Sequence, residues 1–116
     1  MTSSLRERDP DHPVLNGARQ YEIVGLSLEK EPVDGGEPFL DLALRSGNER
    51  CLLRFWSPTD LEIEKGGPTM TGGLAILDLR ARGLENIGVM VTDLEASRGS
   101  VRFAARAVEK IPGNAR

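Results

Sequence analysis

The sequence predicts an all-β fold, an antiparallel β-sandwich or flattened barrel of about seven strands. Three observations point there. From Gln20 onward, apolar residues recur at every second position in short runs. Glycine-rich punctuation such as Asp34-Gly35-Gly36 and Ser46-Gly47-Asn48 separates those runs. No stretch carries a long amphipathic period of 3.6, so one short helical turn is the most helix expected. The 116 residues suffice for one domain with a real core. The expected organisation is a flexible N-terminal arm over 1–16, a single β domain over 17–112 and a tail over 113–116.

Pro10 and Pro13 interrupt any regular element in the polar arm, whose end reaches the domain at Val14 and Leu15. The first strand runs from Tyr21 to Glu29, with Val24, Leu26 and Leu28 on one face and Tyr21 and Ile23 on the other. Phe39 to Arg45 is the cleanest one-sided strand, because Leu40, Leu42 and Leu44 alternate with Asp41, Ala43 and Arg45. Ser46-Gly47-Asn48 turns it tightly into Arg50 to Trp56, where Cys51, Leu53 and Phe55 share one face. Ser57 to Lys65 reads two ways. Ser57-Pro58 resembles a helix start, yet Leu61 and Ile63 alternate with Glu62 and Glu64 in a segment too short for a stable isolated helix, which predicts strand. An α+β layout with a helix over Pro58–Lys65 is the alternative.

Gly66-Gly67-Pro68 and Gly72-Gly73 bracket a loop before Leu74 to Arg82, read as a central strand with both faces apolar. Val89 to Leu94 follows, and Ser97-Arg98-Gly99 turns the chain into a final strand from Val101 to Val108. Val101, Phe103, Ala105 and Ala107 face one way there; Arg102, Ala104 and Arg106 face the other.

Composition narrows the function classes. Fifteen basic against eighteen acidic residues give a formal charge of −3, without the basic stripe or tail that phosphate binding demands, so no nucleic-acid partner is expected. No apolar run approaches the roughly 20 residues of a membrane helix. The start Met-Thr-Ser-Ser-Leu-Arg-Glu-Arg-Asp lacks the apolar stretch of a secretory signal, and cytoplasmic residence is the default expectation. One cysteine, Cys51, excludes an internal disulfide and a Cys-based zinc site, and its alternation with Leu53 and Phe55 makes it a core residue. The one histidine, His12, lies in the arm, which leaves histidine-dependent nucleophilic catalysis without its base. Walker and dinucleotide-binding glycine patterns are absent. No catalytic residue, metal ligand or cofactor is assigned.

Two patterns remain. Asp41, Asp78 and Asp93 each fall inside a strand, where aspartate is disfavoured, and a pair brought together would form an acid/base or cation site. The simpler reading, and the one preferred, is that each faces solvent or pairs with a neighbouring arginine. The second pattern is evenly spaced arginine pairs: Arg50 and Arg54, Arg80 and Arg82, Arg102 and Arg106. On neighbouring strands these would gather guanidinium groups beside Trp56. The binding residues expected on that basis are Arg54, Trp56, Arg80, Arg82, Arg102 and Arg106, with Asp78. The competing reading is an ordinary polar sheet face laced with Glu62, Glu64, Asp78 and Glu95.

The succession Leu53-Arg54-Phe55, Asp60-Leu61-Glu62-Ile63, Gly73-Leu74-Ala75-Ile76-Leu77-Asp78, Val91-Thr92-Asp93-Leu94-Glu95 and Val101-Arg102-Phe103 resembles small all-β bacterial proteins of unknown function. Some of these are grouped with immunity proteins of polymorphic-toxin systems. The resemblance covers about residues 50 to 108 and carries over no catalytic residue. It implies an all-β binding module whose partner is another protein. Together with the missing catalytic inventory, it makes a non-enzymatic, toxin-neutralising interaction module the expectation; a second copy of the chain is the other partner considered. The alternatives are a homo-oligomeric small-ligand-binding or structural domain, with Trp56 covered by a symmetric interface, and a carboxylate-dependent hydrolase.

Overall fold

The computed structural model describes residues 10–33, 35–63, 74–93 and 101–112. Among them are eight strands: β1 (Glu22–Glu29), β2 (Phe39–Ser46), β3 (Glu49–Trp56), β4 (Thr59–Ile63), β5 (Leu74–Asp78), β6 (Val89–Asp93), β7 (Val101–Ala105) and β8 (Ala107–Lys110). They form two four-stranded sheets, ordered β1-β2-β3-β8 and β4-β7-β6-β5, and every named pair is antiparallel. Helical structure among these residues is limited to single 3-10 turns at Ala18–Gln20 and Arg80–Arg82. The all-β expectation holds, and Thr59–Ile63 is strand rather than helix. The glycine loops at 66–68 and 72–73 and the turn at 97–99 lie outside the described residues.

The alternation sorts the core. Leu40, Leu42 and Leu44 on β2 and Cys51, Leu53 and Phe55 on β3 are buried, and they meet Leu74, Ile76, Val89, Val91, Val101 and Phe103 from the other sheet in one cluster. Phe55 and Phe103 cross the gap between sheets edge to face, with centroids 4.9 Å apart. Burying a side chain of this size contributes about 1.5–3 kcal/mol, against about 0–1 kcal/mol for an exposed ion pair, so this interior dominates stability.

The β2–β3 hairpin closes over Gly47-Asn48, with Ser46 paired to Glu49 and Gly47 at φ 63°, a left-handed conformation that glycine adopts without steric cost. That pairing sets every later cross-strand neighbour, including Asp41 with Arg54 and Phe39 with Trp56.

Four expectations need correction. In β1 the register shifts between Ile23 and Gly25. The extra residue, Val24, is pushed outward, so Ile23 and Leu26 share the core face that strict alternation would have split. The run Leu74–Arg82 is strand only to Asp78, and β5 lies at a sheet edge rather than centrally. Both its faces are nonetheless covered, as Ala75 and Ile76 are each buried.

The edge of β5 is occupied by the chain's own N-terminal segment, which the sequence pattern alone presents as a loose arm as far as Asn16. Asp11 bridges Leu77, His12 N–H donates to Ile76 O at 2.8 Å, and Asp78 N–H donates to Pro10 O at 2.8 Å. Leu15 is buried in the core beyond it. Backbone pairing of this kind blunts an open edge.

The last expected strand, Val101–Val108, is two strands in different sheets. It breaks at Arg106, whose N–H donates to Trp56 O at 2.8 Å. The alternation changes phase there: Val101, Phe103 and Ala105 face the core before the break, and Val108 packs against it afterwards. β3 and β4 switch sheets at the same level. Trp56 pairs with Ala107 and Thr59 with Ala104, so the ladder keeps its register round the corner. Strands that bend between sheets in this way form the corners of orthogonal sandwiches and flattened barrels.

Gly88 lies against the corner: a Cβ there would stand 2.6 Å from the carbonyl oxygen of Arg106, which the ladder holds in place. A Cβ at Gly25 would meet only the Ala43 methyl at 3.5 Å, an ordinary contact. Gly88→Ala is therefore expected to lose about 1–3 kcal/mol in urea unfolding, while Gly25→Ala changes stability by less than about 0.5 kcal/mol. Equal effects would show that the corner is not tightly packed.

Candidate functional site

On the outer face of the first sheet, β2, β3 and β8 bring together Phe39, Asp41, Arg54, Trp56 and Glu109. Arg54 donates through Nε and Nη2 to the two Asp41 oxygens at 2.8 and 2.9 Å. This fork fixes the guanidinium plane, and its Cζ lies 3.9 Å from the Phe39 centroid and 5.7 Å from that of Trp56. Phe39 and Trp56 meet edge to face at 5.6 Å. Trp56 Nε1 donates to Glu109 Oε2 at 3.1 Å. Each polar group in this stack has a partner, and the ring surfaces remain partly open.

Beside the stack lies an open depression of about 450 Å³, lined by Glu29, Pro32, Val33, Phe39 and Arg54. Val33 is fully exposed.

The other expected binding residues are placed elsewhere. Arg80 and Arg82 sit on a 3-10 turn rather than a strand, so their spacing of two no longer puts them on one face. Arg80 forks onto Asp78, at 2.9 and 2.7 Å. Arg102 is exposed on β7 in the second sheet, opposite Glu62 in the ladder. Arg106 sits at the corner and donates to Glu37 at 2.6 and 2.8 Å. Ser57 Oγ donates to the same carboxylate at 2.5 Å, and Ser57 N–H to Pro38 O at 2.8 Å. Ser57 adopts φ 52°, a left-handed backbone uncommon outside glycine, and Glu37 and Pro38 hold it there. Of the expected arginine cluster, Arg54 places its guanidinium by the Trp56 ring, while Arg106 meets Trp56 only through its backbone N–H and turns its side chain to Glu37.

The three aspartates are not gathered either. Asp41 is on the first sheet with Arg54, and Asp78 is on the second with Arg80. Asp93 pairs with Leu74 at the opposite end of the β5–β6 ladder from Asp78. Hydrogen bonds from Arg80 hold Asp78 down to about 2, and those from Arg106 and Ser57 hold Glu37 below the usual carboxylate range. Acids held ionised in this way are weak bases and poor proton donors near neutrality. Cys51 is buried, and desolvation raises its thiol pKa, as its core position requires. His12 is fixed in the edge segment; its Nδ1 accepts Val14 N–H at 3.1 Å, and burial lowers its pKa against the opposing pull of Asp78. Among the described residues, no three His, Cys, Asp or Glu side chains are grouped to hold a metal ion.

Sequence reading missed Phe39, Glu37 and Glu109. Phe39 was within reach, because counting back from the Gly47-Asn48 loop sets it opposite Trp56. Glu37 and Glu109 depend on the corner, and no local pattern announces it.

Arg54→Lys keeps the charge but loses the fork and the flat surface over Phe39. It is expected to cost about 1 kcal/mol and to shift the emission of Trp56, the only tryptophan, to longer wavelength. Unchanged emission would mean that the stack does not form in solution. The Asp78 carboxyl, below its ordinary 3.8 in the folded chain, stabilises the fold above that pH and loses this contribution as pH falls toward about 2. Asp78→Asn should remove that part of the acid limb of the unfolding profile; an identical limb in the variant would contradict the pairing. No match to the chain was found among protein-family models, curated proteins or solved structures.

Proposed function

We propose that this chain is a non-enzymatic protein-interaction module that binds a protein partner with the outer face of the β1-β2-β3-β8 sheet. The observation that carries the reading is the Phe39–Arg54–Trp56 stack with fully exposed Val33 across an open depression beside it. Tryptophan and arginine are the residue types that most often dominate binding energy at protein interfaces. Here they are oriented in advance by Asp41 and Glu109, so little side-chain freedom is lost on docking. A shallow, open surface suits a protein better than a small molecule, which needs enclosure. Asp78 and Glu37, held ionised by arginine, favour contact over proton transfer. In the finer form of the proposal the partner is a toxin that the chain neutralises, in keeping with the resemblance to immunity proteins. The charge of −3 gives a basic partner modest steering.

Val33→Asp tests this, because the residue has no burial to lose. Affinity capture from the native host should recover a stoichiometric protein with the wild-type chain, and at least about tenfold less with the variant. Undiminished capture by Val33→Asp, or no stoichiometric partner for the wild type, overturns the proposal. Light scattering distinguishes a foreign partner, which leaves the isolated chain monomeric, from self-association through the same face.

A further inference from the structure

A second cavity, of about 370 Å³, lies between the N-terminal segment and β5 of the second sheet. Buried Leu74 and Ala75 lie at its base. Its rim carries Asp11 and Arg19, with Gln20 beside them, and Gly17 turns the segment over it at φ 68°.

The two rim charges differ from four arginine–carboxylate pairs among the described residues. Arg45 is bonded to Glu22, Arg54 to Asp41, Arg80 to Asp78 and Arg106 to Glu37. Asp11 and Arg19 line one cavity, yet neither side chain has a hydrogen bond or ion pair with the described residues. The cavity thus presents a separate negative and positive pole above Leu74 and Ala75. An anion alone meets repulsion from Asp11, and a cation alone meets repulsion from Arg19. A molecule carrying both an ammonium and a carboxylate satisfies the two together, and Gln20 offers an amide that both donates and accepts. The volume falls at the low end of the range for small-molecule sites, about 300–1,000 Å³.

We infer that this cavity binds a small zwitterion of the free α-amino-acid class, its ammonium on Asp11, its carboxylate on Arg19 and its side chain over Leu74 and Ala75. Such a ligand touches both the N-terminal segment and β5. It therefore stabilises the edge pairing made by His12 N–H to Ile76 O and Asp78 N–H to Pro10 O, as any ligand that requires the docked state must. The inference is independent of the protein-binding face, which lies on the other sheet.

The test is a nuclear magnetic resonance titration of the full chain with each of the twenty free amino acids. N-acetyl-L-alanine, which lacks the ammonium, and L-alaninamide, which lacks the carboxylate, serve as controls. At least one free amino acid should shift the Ala75 and Gln20 amides saturably and slow hydrogen exchange at His12 and Asp78. Arg19→Gln and Asp11→Asn should each weaken that binding by about tenfold or more, since each removes a charged hydrogen-bond partner. Both side chains are exposed and unpaired among the described residues, so thermal unfolding of the free variants should match wild type. The inference fails if no free amino acid saturates, if either control binds as tightly as the best of them, or if either variant binds like wild type.

Discussion

Two adjacent strands leave one sheet and enter the other at the same level, and the rest of the architecture depends on that shared corner. Because β3–β4 and β7–β8 bend together, their ladder is not broken; Arg106 N–H still reaches Trp56 O between the last pair of one sheet and the first of the next. The bend brings the two inner faces together over one interior, where Phe55 meets Phe103. A break in pairing at that point would leave buried backbone groups without partners, at a cost of about 1–3 kcal/mol each. The left-handed Ser57 and the glycine at position 88 are the local terms on which the corner exists.

Glu37 ties this corner from outside. It accepts from Arg106 on one bent strand and from Ser57 on the other, so a single carboxylate spans the place where both change direction. The pairing is exposed, and its weight in stability is small beside that of the core; what it supplies is geometry. A similar economy holds on the outer sheet face, where Asp41 fixes the guanidinium plane that covers Phe39. Charges in this protein chiefly orient other groups. Asp11 and Arg19, like Arg102 on β7, orient no neighbour among the described residues.

The N-terminal segment adds a second constraint. By lying along β5 it finishes a sheet edge, buries Leu15 and creates a cleft that the strands alone do not have. One side of the molecule is thus a continuous sheet face with an aromatic–guanidinium stack. The other contains a cavity between two separate pieces of chain.

Much of this was written locally. The period of two in Leu40, Leu42 and Leu44 and in Cys51, Leu53 and Phe55 determined both strand type and buried face, because neighbouring side chains on a strand must point oppositely. The two-residue hairpin loop fixed the register that sets Arg54 against Asp41. What the sequence alone could not decide was any departure from even spacing. Val24 reads as one more apolar residue, yet it is the bulge that lets Ile23 and Leu26 face inward together. Val101–Val108 reads as one strand, yet it serves two sheets, and Arg80 and Arg82 read as a strand face although the chain has already left the sheet. The pattern of apolar residues specifies which side chains avoid water, and it is nearly the same for a straight strand and a bent one. Only the packing of both sheets on a common interior selects where the backbone bends, and with it which distant charges become neighbours.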